Sequence, residues 1–298
     1  MNPFSPDITL TRIAPTPSGF LHIGNILSFV ITHSIAQKHQ AKIMLRIDDL
    51  DQGRLREEYL DDIFDCLDFL EIPVDLGPKN KTEFRQEYSQ IHRFPLYAEA
   101  INQLKANDLL YACDCSRKKI NAQSNKGSYP QICRTKSLPL EAENVNWRLK
   151  TDNTAEIQII EENQPFKSIL PAQITDFVIR KKDKSPSYQL ASLVDDIHFG
   201  TNIIIRGKDL YDSTLAQLYL SELIPANSFH STNFHHHDLV KAPSGRKLSK
   251  SEGASSIKTM RESGQTKQAI YRQLGQYMGF QDPIGNLTEF IQAYHSKK

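Results

Sequence analysis

The stretch RIAPTPSGFLHIGN, Arg12–Asn25, joins a strand pattern to a helix pattern. Before it, DITLTRIA (Asp7–Ala14) alternates polar and apolar residues and ends at Pro15, which predicts a β-strand. After it, Gly24–Gln40 has apolar residues at helical spacing, and Ala41–Ile47 is a second β-like run. Strand, tight loop, helix and strand in this order predict a βαβ unit and a parallel sheet.

The loop between this strand and this helix has the features of a phosphate-binding turn. In α/β proteins, ligands bind at the carboxyl ends of parallel strands, and a helix N-terminus there suits an anion. Gly19 and Gly24 let a ligand approach the backbone, while Pro15 and Pro17 stiffen the loop. His22 is placed to donate a hydrogen bond to a phosphate oxygen. Taken alone, the stretch is equally typical of a loop that caps a core helix.

The composition is that of a globular protein. The chain has 298 residues, 39% of them hydrophobic and 24% charged, and a formal net charge of +1. A net charge this small does not by itself indicate a nucleic-acid-binding protein. A chain with this charge can nevertheless have a local basic face that binds nucleic acid. The N-terminus lacks a signal-peptide pattern, and no apolar run is long enough for a membrane span. We therefore expect a cytoplasmic protein without a membrane partner, whose four cysteines are thiols.

A second stretch, KLSKS (Lys247–Ser251), lies within SGRKLSKSEG. Its glycine and polar neighbours predict a mobile loop. Two lysines three residues apart can neutralise a polyphosphate, and Lys250 can stabilise charge that develops on it during transfer. A solvated surface loop is the alternative for this stretch alone.

Together, HIGN and KLSKS resemble the signature pair of class I aminoacyl-tRNA synthetases, HIGH and KMSKS. LRIDDLDQGR and RGKDLYDSTLAQLYL are similar to the glutamyl and glutaminyl branch, and the resemblance extends from about Thr11 to Ser255. It implies an α/β fold: a doubly wound parallel sheet of the Rossmann-like type, with a small strand-rich zinc-binding insertion and a short helical C-terminal region.

The resemblance implies activation of an amino acid by ATP, with Mg²⁺ accompanying the nucleotide. His22 and Lys250 are the predicted catalytic residues. Asn25 occupies the position of the second histidine of HIGH. The predicted ATP-binding residues are Pro15, Gly19, His22, Gly24, Asn25, Lys247, Ser249 and Lys250.

The amino-acid pocket is implied in the same way. Its predicted residues are Arg12, Ala14, Thr16, Asp48, Tyr188 and Arg206. Two arginines converging on one small ligand favour a dicarboxylate, hence glutamate. Asp48, where glutamyl relatives carry glutamate, resembles the glutaminyl branch more. The alternatives are a core role for Tyr188 and an ion pair of Arg206 with Asp209.

Three cysteines follow the pattern C-x-C…Y-x₃-C, at Cys113, Cys115 and Cys133. Three thiolates on two short segments can hold Zn²⁺ if a fourth ligand joins them. The resemblance to glutamyl-queuosine tRNA(Asp) synthetases and some bacterial glutamyl enzymes implies Tyr129 as that ligand and one structural zinc per chain; water and Asp114 remain alternatives, as do three unligated cysteines. Cys66 lies on an apolar helix face and is predicted to be a core residue.

We expect four segments. Residues 1–108 and 181–251 form the two halves of the catalytic domain, 109–180 is the acceptor-type zinc insertion, and 252–298 is a short helical tail without an anticodon-binding domain. This organisation resembles glutamyl-queuosine tRNA(Asp) synthetase, which implies L-glutamate, ATP and the queuosine-containing anticodon stem-loop of tRNA(Asp) as partners. The alternatives are a compact ligase that charges a tRNA 3′ end or another acceptor, and a non-catalytic tRNA-binding paralogue.

Overall fold

The computed structural model describes residues 8–124, 128–225, 227–239 and 256–297. The strands of these residues are β1 Leu10–Ile13, β2 Lys42–Leu45, β3 Leu110–Cys113, β4 Asn146–Leu149, β5 Glu156–Glu161, β6 Gln164–Ile169, β7 Val178–Arg180, β8 Ile203–Gly207 and β9 Asn233–His237. The α-helices are α1 Ile23–His39, α2 Glu57–Phe69, α3 Lys81–Glu83, α4 Phe94–Ala106, α5 Arg117–Gln123, α6 Tyr188–Phe199, α7 Tyr211–Glu222, α8 Ile257–Glu262, α9 Lys267–Met278 and α10 Leu287–Lys297. The predicted α/β class, with a strand-rich insertion and a helical C-terminal region, is confirmed.

The chain divides into two compact units. The N-terminal unit takes its residues from Asp7–His92, Thr201–Asp209 and His235–Lys298. The central unit comprises Arg93–Gly200 and Leu210–Phe234.

The predicted βαβ unit is present in the N-terminal unit. β1 and β2 pair in parallel, with Leu10 opposite Lys42 and Ile13 opposite Leu45. The pairing continues past the strand ends, because Arg46 N–H donates to the Ile13 carbonyl at 3.0 Å and Asp48 N–H donates to the Pro15 carbonyl at 2.9 Å. β8 contacts β1 on its other side, and the Asn202 side chain accepts hydrogen bonds from the first residues of β1.

Helix α1 is buried on most of its surface rather than on one stripe. Its buried residues include Ile23, Ile26, Val30 and Ile31, and it contacts β1, β8 and α10. A helix that is apolar on nearly all sides belongs in the interior of a domain. The first turn of α1 is therefore fixed by packing as well as by its cap.

The helical spacing of apolar residues over Tyr271–Phe280 predicts a helix in the C-terminal region. The structure confirms it as α9, with α8 before it and α10 after it. Ile270, Tyr271, Leu274 and Phe290 are fully buried in the same hydrophobic cluster as α1. The Tyr271 hydroxyl donates to the Leu70 carbonyl at 2.8 Å, which joins α9 to the end of α2. In the described parts of the chain, no helix combines the length and apolar character required to cross a bilayer.

The central unit contains the predicted short strands. β3, β4 and β7 form an antiparallel sheet in the order β3-β4-β7. β5 and β6 form a hairpin, and β5 also pairs in parallel with the first residues of β9. The buried Arg93 guanidinium, just before α4, forms a bidentate pair with Asp195 of α6 at 2.7 and 3.1 Å.

One predicted helix start is wrong. The sequence pattern over Asp212–Leu223 predicts a helix with Asp212 or Ser213 as its N-cap. The helix is present, but α7 begins at Tyr211, and its N-cap Leu210 makes no side-chain capping bond. A 3₁₀ turn at Lys208–Leu210 leads directly into the helix. The chain thus enters α7 already helical, and the helix starts without a polar cap.

Candidate active site and metal centre

The HIGN segment forms the start of α1, and His22 is its N-cap. His22 Nδ1 accepts a hydrogen bond from Gly24 N–H at 3.1 Å, while Asn25 Oδ1 accepts one from His22 N–H at 3.0 Å. This is a capping box, in which the two side chains satisfy backbone donors reciprocally. Asn25 therefore has a defined role at the position of the second histidine of HIGH.

The cap also determines the tautomer of His22. Because Nδ1 accepts the Gly24 N–H, the hydrogen of the neutral imidazole lies on Nε2. A Cβ atom at Gly24 would lie 3.0 Å from His22 Cε1 and 3.1 Å from Nδ1. Glycine at position 24 therefore leaves room for the imidazole, and the half-buried ring presents Nε2–H as a donor.

The residue before His22 is held by two elements distant in sequence. Leu21 N–H donates to Asp62 Oδ2 of α2 at 2.8 Å, and the Leu21 carbonyl accepts from Ile257 N–H of α8 at 2.8 Å. His22 and Ser256 form an isolated antiparallel bridge beside these bonds. The start of α1 is thus clamped between α2 and α8.

The predicted pocket residues of the N-terminal unit lie on neighbouring elements. Arg12 is buried on β1, Arg206 is buried near the end of β8, and Ala14 and Thr16 follow β1, half-buried and exposed respectively. Pro15 is buried, and its carbonyl accepts the hydrogen bond from Asp48 N–H described above. Gly19 is half-buried in the same loop. The structure therefore brings these residues to the carboxyl ends of β1, β2 and β8.

Asp48 is paired with an arginine that the sequence analysis did not single out. Arg46 Nε donates to Asp48 Oδ1 at 2.7 Å, and Arg46 Nη2 donates to Oδ2 at 3.1 Å. Both side chains are nearly inaccessible, with 2% of Arg46 and 11% of Asp48 exposed. Such a bidentate pair fixes the orientation of the carboxylate. Arg46 and Asp48 are two positions apart just after β2, a spacing that puts two side chains on the same side of an extended segment, and this was the available signal.

The other predicted residues lie elsewhere. Tyr188 is the first residue of α6 in the central unit, and 43% of it is exposed, so it is not a core aromatic residue. Lys247, Ser249 and Lys250 lie outside the described residues. Their ATP-binding and catalytic roles stay predictions from the sequence.

The three cysteines of the central unit come together as predicted. The Sγ atoms of Cys113, Cys115 and Cys133 lie within 4.8 Å of one another, with Cys115 and Cys133 at 3.4 Å, and no disulfide joins them. The Tyr129 hydroxyl is 3.2 Å from Cys113 Sγ and accepts from Cys133 N–H. All four residues are buried.

Asp114 borders this cluster on the solvent side. Its Oδ1 accepts hydrogen bonds from the Cys133 thiol at 3.2 Å and from Lys136 Nζ at 3.1 Å. The Cys133 hydrogen bond, followed by Lys136, lowers the pKa of Asp114 to about 2. Asp114 is thus the second oxygen donor within reach of the thiols.

Arg148 lies on the protein side of the cluster. Its guanidinium carbon is 3.6 Å from the centroid of the Tyr129 ring, a cation–π contact. Burial raises the pKa of the Cys113 thiol, but the hydrogen bond from Tyr129 and the Arg148 guanidinium outweigh it, so this pKa lies below its ordinary value. Burial raises the pKa of the Cys115 thiol to about 12.

The donor set fits zinc. Zn²⁺ is held tetrahedrally at about 2.3 Å from thiolate sulfur, which places ligand sulfurs roughly 3.8 Å apart. The Cys115 and Cys133 sulfurs lie 3.4 Å apart, and all three sulfurs lie within 4.8 Å of one another, a range that includes this value. Three thiols and a phenol on one buried site are therefore compatible with a structural zinc, for which Cys113, Cys115 and Cys133 supply the sulfur ligands.

Sequence reasoning missed Asp62 and Arg148 for the same reason. Asp62 lies on the buried face of α2 and contacts Leu21, forty-one positions away. Arg148 is one of several charged residues in a strand-rich region, and only the fold places it over Tyr129. No local pattern marks either contact.

Comparison with known proteins agrees with these features. Residues 9–297 match the family of tRNA synthetases class I (E and Q), catalytic domain. A protein named glutamate–tRNA ligase from Francisella tularensis is 32% identical over 296 residues, which cover 96% of this chain and 60% of the relative. Glutamate–tRNA ligase 1 of Ruegeria pomeroyi is 31% identical, with 96% of this chain and 65% of the relative covered. The chain spans about three fifths of the length of the first of these relatives.

The fold agrees as well. The crystal structure of a glutamate tRNA ligase from Elizabethkingia meningosepticum matches with a TM-score of 0.74 at 20% identity, covering 96% of this chain and 64% of that one. The glutamate-tRNA synthetase of Elizabethkingia anophelis gives the same TM-score, covering 95% of this chain and 65% of its own. With its helix-capping His22, its strand-end arginines and a family match over residues 9–297, the chain belongs to the class I tRNA synthetases for glutamate and glutamine, within their catalytic domain.

Proposed function

We propose that the chain activates L-glutamate with ATP and transfers the glutamyl group to the queuosine base in the anticodon loop of tRNA(Asp). The observation that supports activation most strongly is the N-terminus of α1, capped by His22, beside the strand ends that hold Arg12 and Arg206. A helix N-terminus binds phosphate, and arginines bind carboxylates. The elements proposed to bind ATP and glutamate contact one another in the N-terminal unit, which supports the proposal.

The first step is formation of glutamyl-adenylate. An oxygen of the glutamate α-carboxylate attacks the α-phosphorus of ATP, the bond from that phosphorus to the bridging β-phosphate oxygen breaks, and pyrophosphate leaves. Positioning and charge stabilisation supply the catalysis, without a side-chain nucleophile. His22 Nε2–H and the α1 backbone hold the phosphates, and Gly19, Gly24 and Pro15 shape the loop that receives them. Mg²⁺ supplies countercharge to the triphosphate when it is bound.

Lys247, Ser249 and Lys250 complete the nucleotide site in this proposal. Lys250 stabilises the negative charge that moves onto pyrophosphate, while Lys247 and Ser249 bind the triphosphate. Asn25 acts through the cap, because its side chain holds the His22 backbone.

The pocket selects glutamate through charge. Arg12 and Arg206 bind the two carboxylates, Asp48 receives the ammonium group, and Ala14 and Thr16 line the pocket. The glutamate-binding role of Tyr188, which lies in the central unit, stays a prediction from the family resemblance. A neutral amide in place of the side-chain carboxylate would lose a charged hydrogen bond of about 1.5–3 kcal/mol. Arg46 holds the Asp48 carboxylate in one orientation.

The C-x-C…Y-x₃-C cluster agrees with the queuosine acceptor, because the pattern with tyrosine as a ligand occurs in glutamyl-queuosine tRNA(Asp) synthetases, although some bacterial glutamyl enzymes share it. In the proposed site, Tyr129 is the fourth zinc ligand. A second candidate, charging of a tRNA 3′ end, is favoured by the relatives, which are named glutamate–tRNA ligases. In both candidates a hydroxyl oxygen of the acceptor attacks the adenylate carbonyl carbon, and AMP leaves with the bonding electrons.

The test measures transfer of radiolabelled glutamate, with ATP, to four tRNA(Asp) substrates: with and without queuosine, each intact and with a truncated 3′ end. The proposal predicts label on both queuosine-containing substrates and none on the other two. Label that ignores queuosine and disappears on truncation would establish the second candidate instead. A catalytically inactive paralogue would leave all four unlabelled.

A further inference from the structure

The zinc cluster is bordered by a buried arginine whose positive charge has no carboxylate partner. Arg148 lies on β4, and 7% of it is exposed. Its Nη1 donates to the main-chain carbonyl of Asp176 at 2.8 Å. In the described parts of the chain no carboxylate forms an ion pair with Arg148, and its Nε has no hydrogen-bond acceptor there.

The nearby Asp176 carboxylate is engaged by other groups. It accepts hydrogen bonds from the Tyr111 hydroxyl at 2.7 Å and from Thr151 N–H and Oγ1 at 2.9 Å, and it pairs with Arg134 at 3.2 Å. These donors fix the position of Asp176, whose main-chain carbonyl accepts the hydrogen bond from Arg148. The hydrogen bond to this carbonyl in turn helps to fix the position of the Arg148 guanidinium.

The guanidinium lies over the Tyr129 ring, with its carbon 3.6 Å from the ring centroid. A buried guanidinium without a counter-charge destabilises a fold, because it has lost its hydration. A zinc ion held by three thiolates carries a net negative charge, and a phenolate as fourth ligand increases it. The occupied cluster therefore supplies the counter-charge that Arg148 lacks.

We infer that Arg148 is a positioning residue of the metal centre, whose positive charge stabilises the zinc-loaded cluster of Cys113, Cys115, Cys133 and Tyr129. This inference rests on the zinc site within the proposed function. It assigns the role of an outer-shell partner to a cation rather than to the usual carboxylate or carbonyl. The exposed Lys136, paired with Asp114, contributes less because water screens it.

The experiment measures zinc affinity at one pH by competition with a chromophoric chelator, in the reduced full-length chain. The substitutions are Arg148→Met, Arg148→Gln and Arg148→Lys. Loss of an outer-shell partner lowers metal affinity by about 10- to 100-fold, and we expect this for the methionine and glutamine variants. Glutamine keeps an uncharged N–H donor on the side chain, so it carries the test if the methionine variant does not fold. We expect the lysine variant to bind zinc more tightly than either.

Arg180→Met is the matched control. Arg180, in the same sheet, stacks on Trp147 with its guanidinium carbon 3.7 Å from the ring centroid. It therefore makes the same kind of cation–π contact as Arg148, but with an aromatic ring that is not part of the cysteine cluster. We expect its zinc affinity to stay within twofold of wild type. Cobalt substitution gives a second readout, because thiolate-to-cobalt absorption reports the ligand set directly.

Two results would overturn the inference while leaving the zinc site intact. One is wild-type zinc affinity in Arg148→Met or Arg148→Gln. The other is an equal loss in Arg148→Lys, which would show that shape rather than charge matters. A wild-type chain that binds no stoichiometric zinc would refute the metal centre itself, and the role of Arg148 with it.

Discussion

His22 and Asn25 show how a departure from a sequence signature is accommodated at the level of single side chains. Asn25 Oδ1 accepts the His22 N–H, and His22 Nδ1 accepts the Gly24 N–H. An amide is a good partner for an N-cap backbone donor, so Asn25 supports the helix start at which phosphate is proposed to bind. The same bonds leave the ring hydrogen on Nε2.

Asp48 provides a test at this scale. Its carboxylate forms a nearly inaccessible bidentate pair with Arg46, with 11% and 2% of the two side chains exposed. Removing one partner of such a pair destabilises a fold by about 3–5 kcal/mol, so we expect Asp48→Ala to lower the free energy of unfolding by about 3 kcal/mol. Urea unfolding monitored by circular dichroism measures it.

Asp51→Ala is the control for Asp48→Ala. Asp51 pairs with Arg54 at 2.6 Å, but 71% of Arg54 and 40% of Asp51 are exposed. An exposed pair contributes about 0–1 kcal/mol, so this variant is expected to remain near wild type. Equal losses in the two variants would contradict a special role for the Arg46–Asp48 pair.

At the scale of elements, α1, α2 and α8 meet at the backbone of Leu21. Asp62 of α2 accepts the Leu21 N–H, and Ile257 of α8 donates to its carbonyl. The start of α1 is thereby tied to the segment that follows the KLSKS stretch in sequence. A buried carboxylate on α2 thus supports the proposed ATP site without contacting it.

This clamp predicts a pH dependence. Burial raises the pKa of Asp62 above its ordinary value of 3.8, although the Leu21 N–H opposes the shift. The folded chain therefore retains a proton that the unfolded chain has already lost, and the stability of wild type falls as the pH rises through this window. Asp62→Asn has no such proton and keeps an acceptor for Leu21. We expect the stability of wild type relative to this variant to decrease between pH 4 and pH 7.

Urea unfolding of both proteins over that range measures the difference. Asp68→Asn, on the exposed side of α2, controls for the loss of one carboxylate. If the difference in the free energy of unfolding between wild type and Asp62→Asn does not change with pH, then folding does not raise the pKa of Asp62.

The cysteine cluster gives a second test at this scale. Cys133→Ser removes one of three thiols that lie within 4.8 Å of one another, and we expect it to lower bound zinc from one per chain to a small fraction. Cys66→Ser is the matched control, because Cys66 is fully buried on α2 in the N-terminal unit. Elemental analysis of the purified proteins measures zinc. Equal zinc in wild type and Cys133→Ser would exclude Cys133 as a ligand.

For the whole molecule, the sequence predicted what depends on local patterns. The βαβ order, α1 to within a residue or two at its ends, the helical tail and the gathering of the three cysteines all follow from periodicity and spacing. The contacts of Asp62 and Arg148 do not, because each depends on a partner that only the fold brings close. The Arg46–Asp48 pair is local, and it was missed although the two residues are two positions apart. The predicted start of α7 was wrong because a 3₁₀ turn at Lys208–Leu210 precedes the helix in place of a polar N-cap.

The central claim, activation of glutamate at the ends of β1, β2 and β8, is tested most directly by ATP–pyrophosphate exchange. We would measure it with L-glutamate, L-glutamine and L-aspartate, with and without tRNA. The proposal predicts kcat/KM for glutamate at least tenfold above that for glutamine, since one charged hydrogen bond of about 1.5–3 kcal/mol is at stake. Exchange driven equally well by glutamine, or no exchange with glutamate in the presence of tRNA, would contradict it.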